Sequence, residues 1–213
     1  MAIKPILFST PMVQAILRGE KTMTRRVINP QPCKSVSLRP KIDGDLLYWS
    51  DGKRRYAKYE PGDILWVRET WYQHYDGSYA YRAGHVFESE TGWKPSIYMP
   101  KAAARIFLRV TDVRAERLQD MTEDDVVAEG AEKLITCQRQ HGIIESDGTL
   151  GDMCWNSVYA CKYCDEIDGS YQEKFGDKVW NPINAKRGYG WDKNPWVWVY
   201  SFERTAKPEG WPV

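Results

Sequence analysis

The sequence predicts an α+β fold that is mainly β: a small antiparallel barrel with flanking helices and long insertions. Three observations lead there. Short runs of apolar, β-branched and aromatic residues recur between turn signals. The helical stretches fall at connections between those runs. The last strand-like run returns from far away in sequence, as closing a small sheet requires. The 213 residues fit one domain over 1–213, with insertions near 29–60, 72–100 and 131–190.

Taken in order, residues 3–9, "IKPILFS", read as a strand. "TPMVQAILRGE" then reads as a helix, with Thr10 as N-cap and Pro11 in the first turn. Met12, Val13, Ile16 and Leu17 recur at helical spacing, and Gly19 sits where the helix stops. "EKTMTRRVI" leaves the turn and enters a strand. Residues 29–60 are irregular, with a hairpin expected around "LYWSDGKRRYAKY" at Asp51-Gly52.

"PGDILWVRETWY" is a turn and a strand, and "YAYRA" a short strand. "ARIFLRVTDVRAERL" is the longest β-rich run. "MTEDDVVAEG" is a capped helix, with Thr122 as N-cap, acids in its first turn and Gly130 as its stop. Residues 131–179 are polar and poorly periodic, with a helical patch near "MCWNSVYACKY". A final strand spans 196–204. "WNSVYACK" (155–162) faintly echoes "WNPINAKR" (180–187).

A net charge of +1 supplies no global field, so contact with nucleic acid would need a local patch. Ten Trp and thirteen Tyr suit either a core of large rings or a surface on which bases stack. The N-terminus carries no signal-peptide pattern, and no run has the length of a membrane span. A cytoplasmic protein is expected. Five cysteines, Cys33, Cys137, Cys154, Cys161 and Cys164, are expected to be reduced. Cys161 and Cys164 form one CxxC, to which Cys137, Cys154 and His141 are irregularly spaced zinc partners. No metal and no cofactor are expected.

Three segments carry chemistry. "RGEKTMTRR" (18–26) sets four cations against Glu20, with Lys21 and Thr24 three apart at a helix-to-strand junction. A threonine hydroxyl needs a base to become a nucleophile, and lysine serves as one only when its pKa is lowered by burial or nearby cations. The bland alternative is a solvated basic turn. Glu129 stands at a helix C-terminus, the negative end of the dipole, against local preference. Arg68 and Glu69 in "WVRETW" are consecutive, so a strand sends them to opposite faces and one of them inward.

"ILRGEKTMTRR", "PGDILWV" and "LQDMTEDDVVAEG" together resemble the ASCH domain, a relative of the RNA-binding PUA-like barrels. The family's Gly-x-Lys-x4-Arg signature is matched by Gly19, Lys21 and Arg26, and its Gly-Asp pair by Gly62-Asp63. Small bacterial members are amidohydrolases that remove the acetyl group of N4-acetylcytidine with a Lys, a Thr and a Glu. The resemblance places those roles on Lys21 as base, Thr24 as nucleophile or water-positioning group, and Glu129 as proton shuttle. Arg26 or Arg68 would stabilise the oxyanion, and Arg26, Arg68 and Glu69 would contact substrate.

"SIYMPKAAARIFLRVTDVRAERLQDMTEDDVVAEG" and "KRGYGWDKNPWVWVYSFER" resemble ASCH-type proteins of phages and prophages. The chain departs from the small hydrolases in its length, in its insertions, and in Arg25, where they tend to be apolar. The alternative function is an RNA- or DNA-binding module, including a nuclease, with RNA preferred to DNA. Arg18, Lys21, Arg25 and Arg26 would form its basic rim, and "KRGYGW" (186–191) a second patch. A third reading is a protein-interaction role. Oligomeric state is not legible in the sequence.

Overall fold

The computed structural model describes residues 1–31, 41–43, 46–48, 54–84, 92–131 and 170–212. All five cysteines, His141, Asp51-Gly52, the patch near 153–163 and the first half of the sequence echo lie outside these residues. Among the described residues no group of His, Cys, Asp and Glu is arranged to hold a metal ion. No helix among them is long and apolar enough to cross a membrane.

Strand β1 (Ile3–Leu7) leads into helix α1 (Thr10–Arg18) and strand β2 (Met23–Val27). Three short strands follow: β3 (Lys41–Asp43), β4 (Leu46–Tyr48) and β5 (Arg54–Tyr56). Next come β6 (Ile64–Arg68), β7 (Trp71–Gln73), β8 (Tyr79–Tyr81), the long β9 (Phe107–Arg117) and helix α2 (Glu123–Ala128). The C-terminal part holds α3 (Tyr171–Phe175), a π-helical turn (Gly176–Trp180), α4 (Asn181–Asn184) and β10 (Trp196–Thr205).

Five strands form the main sheet in the order β1-β6-β9-β10-β2. β1 runs parallel to β6, and the remaining pairs are antiparallel. The expected hairpin appears as β4 against β5, Leu46 opposite Tyr56, with β3 on its other side. β7 and β8 form a separate ribbon.

The expected small barrel is corrected to an open sheet among the described residues: β1 and β2 are its two edges there and share no ladder. Their gap is spanned by a side chain. Arg26 Nη2 donates to the Leu7 carbonyl at 3.0 Å. Helix α1 joins these two edges, so the chain's first connection bridges the opening instead of zipping it.

Strand β6 is buried on both faces. Leu65 and Val67 enter the main core, while Ile64 and Trp66 enter a second cluster with Phe107, Met99 and Trp211. That follows from the two-residue period of a strand lying between two apolar layers. Each such side chain contributes about 1.5–3 kcal/mol on burial. In α1, Met12, Val13, Ala15 and Ile16 are buried against the main core. Its N-cap is Ser9 rather than Thr10, and Gly19 ends it at φ 79°. Thr122 caps α2 through a reciprocal box with Asp125.

Candidate functional site

The end of α1 fixes Lys21. After Gly19 turns the chain, the Glu20 and Lys21 amides donate to the Ala15 carbonyl at 2.9 and 3.2 Å. Lys21 then bridges Glu129, and Thr22 N donates to the Ala128 carbonyl at 2.8 Å. Residues 108 apart in sequence are thus brought face to face by backbone.

Gly130 is what lets them approach. It adopts φ +67°, and a Cβ on it would stand 2.7 Å from Ala15 Cβ and 2.8 Å from Lys21 Cβ. Only glycine meets both demands without strain.

Lys21 and Glu129 are both buried, each 3% exposed. Lys21 Nζ donates to Glu129 Oε2 at 2.5 Å and to the Glu129 carbonyl at 2.8 Å. Burial pushes the Lys21 pKa down; Glu129 opposes this, and the Arg26 and Arg25 charges add to the lowering. The acid placed against its helix dipole is explained by the cations that meet it.

In β2, alternation sends Thr24 and Arg26 to one face and Arg25 to the other. Thr24 is 1% exposed, and its Oγ1 accepts from Arg26 Nη1 at 2.9 Å. The Arg26 guanidinium lies 5.2 Å from the Phe8 ring centroid, and Lys21 Nζ lies 5.6 Å from it. Burial lowers the Arg26 pKa against the raising effect of Glu129.

Arg25 is one of the cations the sequence places on a rim. The structure buries it fully, with its guanidinium among three carboxylates. It meets Glu116 at 2.6 Å, Asp125 at 3.0 Å and Glu129 Oε1 at 3.4 Å. Arg114 closes the same network onto Glu116 and Asp125. Glu129 is therefore held by Lys21 through one oxygen and by Arg25 through the other. Arg18, by contrast, is exposed and pairs with Glu20 next to it.

Lys21, Thr24, Arg26 and Glu129 all line one cavity of about 510 Å³. That lies within the range of small-molecule sites. It opens where β1 ends and β2 runs past, with Leu7 and Phe8 on one side. The helical stretch 175–187 also lines it, through Phe175, Trp180, Asn184 and Arg187. Trp180 is locked there by Nε1 donating to the Tyr189 carbonyl at 2.6 Å.

Arg68 and Glu69 do not line this cavity. The Arg68 guanidinium donates to the Ile97 carbonyl and lies over the Trp66 ring. Glu69 is buried and held by Arg105 through two bonds of 2.9 Å. Sequence reasoning missed Ser9, Trp180, Asn184 and the internal role of Arg25. It read Arg187 only as part of a basic-aromatic patch. The strand alternation of "MTRRV" carried the one available signal, since consecutive arginines in a strand covered on both sides cannot both face water.

No protein-family model matches the chain, and no curated protein matches it. Among solved structures, the chain is similar to the crystal structure of an ASCH domain from Lactobacillus crispatus JV V101. The two are 14% identical, with 95% of this chain and 79% of that chain covered, at a TM-score of 0.34.

Proposed function

We propose that the chain hydrolyses the amide of an acylated, modified nucleoside of the N4-acetylcytidine type. The observation that carries this reading is a buried Lys21–Glu129 pair on the wall of a nucleoside-sized cavity that Thr24 also lines. The motif resemblance to the ASCH hydrolases points to the same three residues.

The protons balance as follows. Transfer of one proton from Lys21 to Glu129 gives a neutral amine beside a carboxylic acid. Burial of Lys21 favours that form over an isolated ammonium. Lys21 then takes the Thr24 proton as Oγ attacks the acyl carbon. Arg26 donates to Oγ1, so the Thr24 O–H is not used in that bond. The ammonium so formed faces the developing oxyanion.

Glu129 gives its proton to the leaving amine nitrogen as the C–N bond breaks. The pair is now an ammonium beside a carboxylate. Water next attacks the threonine ester, Glu129 takes its proton, and Lys21 returns one to Oγ. The free acid and the starting state result. In the same geometry Thr24 can instead hold the attacking water. Phe8, Phe175 and Trp180 supply apolar walls for the base.

The test is incubation with N4-acetylcytidine and chromatographic separation of cytidine. Lys21→Ala is expected to lower turnover by at least about a hundredfold, the scale of general-base catalysis, with an unchanged circular dichroism spectrum. Full activity in that variant would sink the assignment.

A second reading, an RNA- or DNA-contacting module with RNA preferred, draws on the cations of the same cavity. It requires binding that weakens steeply with salt.

A further inference from the structure

The cavity carries two arginines whose donors the catalytic scheme does not exhaust: Arg26 only orients Thr24 there, and Arg187 takes no part. Arg26 is half-buried, and the three acceptors it meets are neutral: Thr24 Oγ1, the Arg25 carbonyl and the Leu7 carbonyl. A guanidinium has five N–H donors, so Nε and one Nη2 donor are left without an acceptor among the described residues. Arg187, which also lines the cavity, is exposed and makes no ion pair among the described residues; its guanidinium rests over the Tyr189 ring. By comparison, Lys21 and Arg25 on the same walls are matched to carboxylates.

Helix α1 adds to this. Ser9 and Met12 line the cavity, so the helix presents its N-terminus to it. The Ser9 hydroxyl makes no capping bond, and the first turn holds no acid. Pro11 has no N–H and the Val13 amide is bonded to the Ser9 carbonyl, so the Thr10 and Met12 amides and the positive dipole end are what favour an anion there.

We infer that the cavity has an anion subsite formed by Arg26, Arg187 and Ser9 at the head of α1, and that it takes a nucleoside 5′-monophosphate more tightly than the nucleoside itself. The inference rests on the hydrolase reading for the base and acyl group, and adds the phosphate. A phosphate monoester brings the charge and the several acceptor oxygens that these donors lack. A guanidinium with two free N–H groups suits it better than an ammonium does.

The experiment is calorimetric titration of the full chain at low salt. The ligands are cytidine, cytidine 5′-monophosphate, inorganic phosphate, and a short oligocytidylate without a terminal phosphate. The monophosphate is expected to bind about tenfold to a hundredfold more tightly than cytidine, the value of one or two charge-assisted hydrogen bonds. In Arg187→Gln that ratio is expected to fall toward one. Lys193→Gln, which removes an exposed cation paired with Asp192, is expected to leave it unchanged.

Equal binding of cytidine and its monophosphate would overturn the inference. So would phosphate alone matching the nucleotide, or the oligonucleotide binding more tightly than the mononucleotide. A preference for the monophosphate without turnover of acetylated substrate removes the hydrolase reading and keeps the subsite. Turnover without that preference does the reverse.

Discussion

Replacing Arg25 by methionine removes a guanidinium that is wholly inaccessible to solvent and stands among Glu116, Asp125 and Glu129. Removing one partner of a buried ion pair costs about 3–5 kcal/mol, because the remaining charge stays buried. Each acid here keeps a second cation: Arg114 for Glu116 and Asp125, and Lys21 for Glu129. The loss should therefore fall at the low end, about 3 kcal/mol. For a chain of this size that is a fall in melting temperature of roughly 6–12 °C. Urea unfolding reads it as a lower midpoint at constant slope. Arg18→Met is the control. Its pair with Glu20 is exposed, and its loss should cost under about 1 kcal/mol. If Arg25→Met costs no more than Arg18→Met, the buried network does not hold Glu129 as described.

Two further perturbations follow. Gly130→Ala places a methyl group 2.7 Å from Ala15 Cβ at positive φ, and should cost roughly 2–4 kcal/mol in thermal unfolding; a loss under about 1 kcal/mol would mean the Lys21 approach is not tight. Burial pushes the Tyr200 hydroxyl pKa up to about 12. Its neutral form is thus favoured in the folded state, so its stabilisation is complete below pH 10 and is lost as pH rises from 10 to 12, by roughly 3 kcal/mol in all. Tyr200→Phe should flatten that alkaline limb, and an unchanged limb would refute the assignment.

Much of the fold was legible because local signals sufficed. The helical spacing of Met12, Val13 and Ile16, the capping pattern at Thr122, and the turn at Gly62 each specify one element within a few residues. Strand direction and sheet closure were not legible. Nothing in "IKPIL" says that it pairs parallel to Ile64–Arg68 or that it ends as an edge. The site divides in the same way. Lys21 and Thr24 share a junction that the sequence displays. Their association with Glu129 spans 108 residues and entered only through the motif resemblance. Arg25 was misplaced because a run of charges normally marks a solvated face. Here α2 and β9 cover that face with Asp125 and Glu116. The cavity's second wall comes from the turn-rich segment around Trp180, whose long-range placement depends on packing rather than on periodicity.

The central claim is that Thr24, served by the Lys21–Glu129 pair, breaks an acyl–nitrogen bond. Acetate release from N4-acetylcytidine, followed by proton NMR for the unmodified chain, Thr24→Ser and Thr24→Ala, tests it most directly. The account predicts that acetate appears with the unmodified chain and with Thr24→Ser, and falls by at least about a hundredfold with Thr24→Ala. Equal acetate release from Thr24→Ala, or none from the unmodified chain, would contradict it.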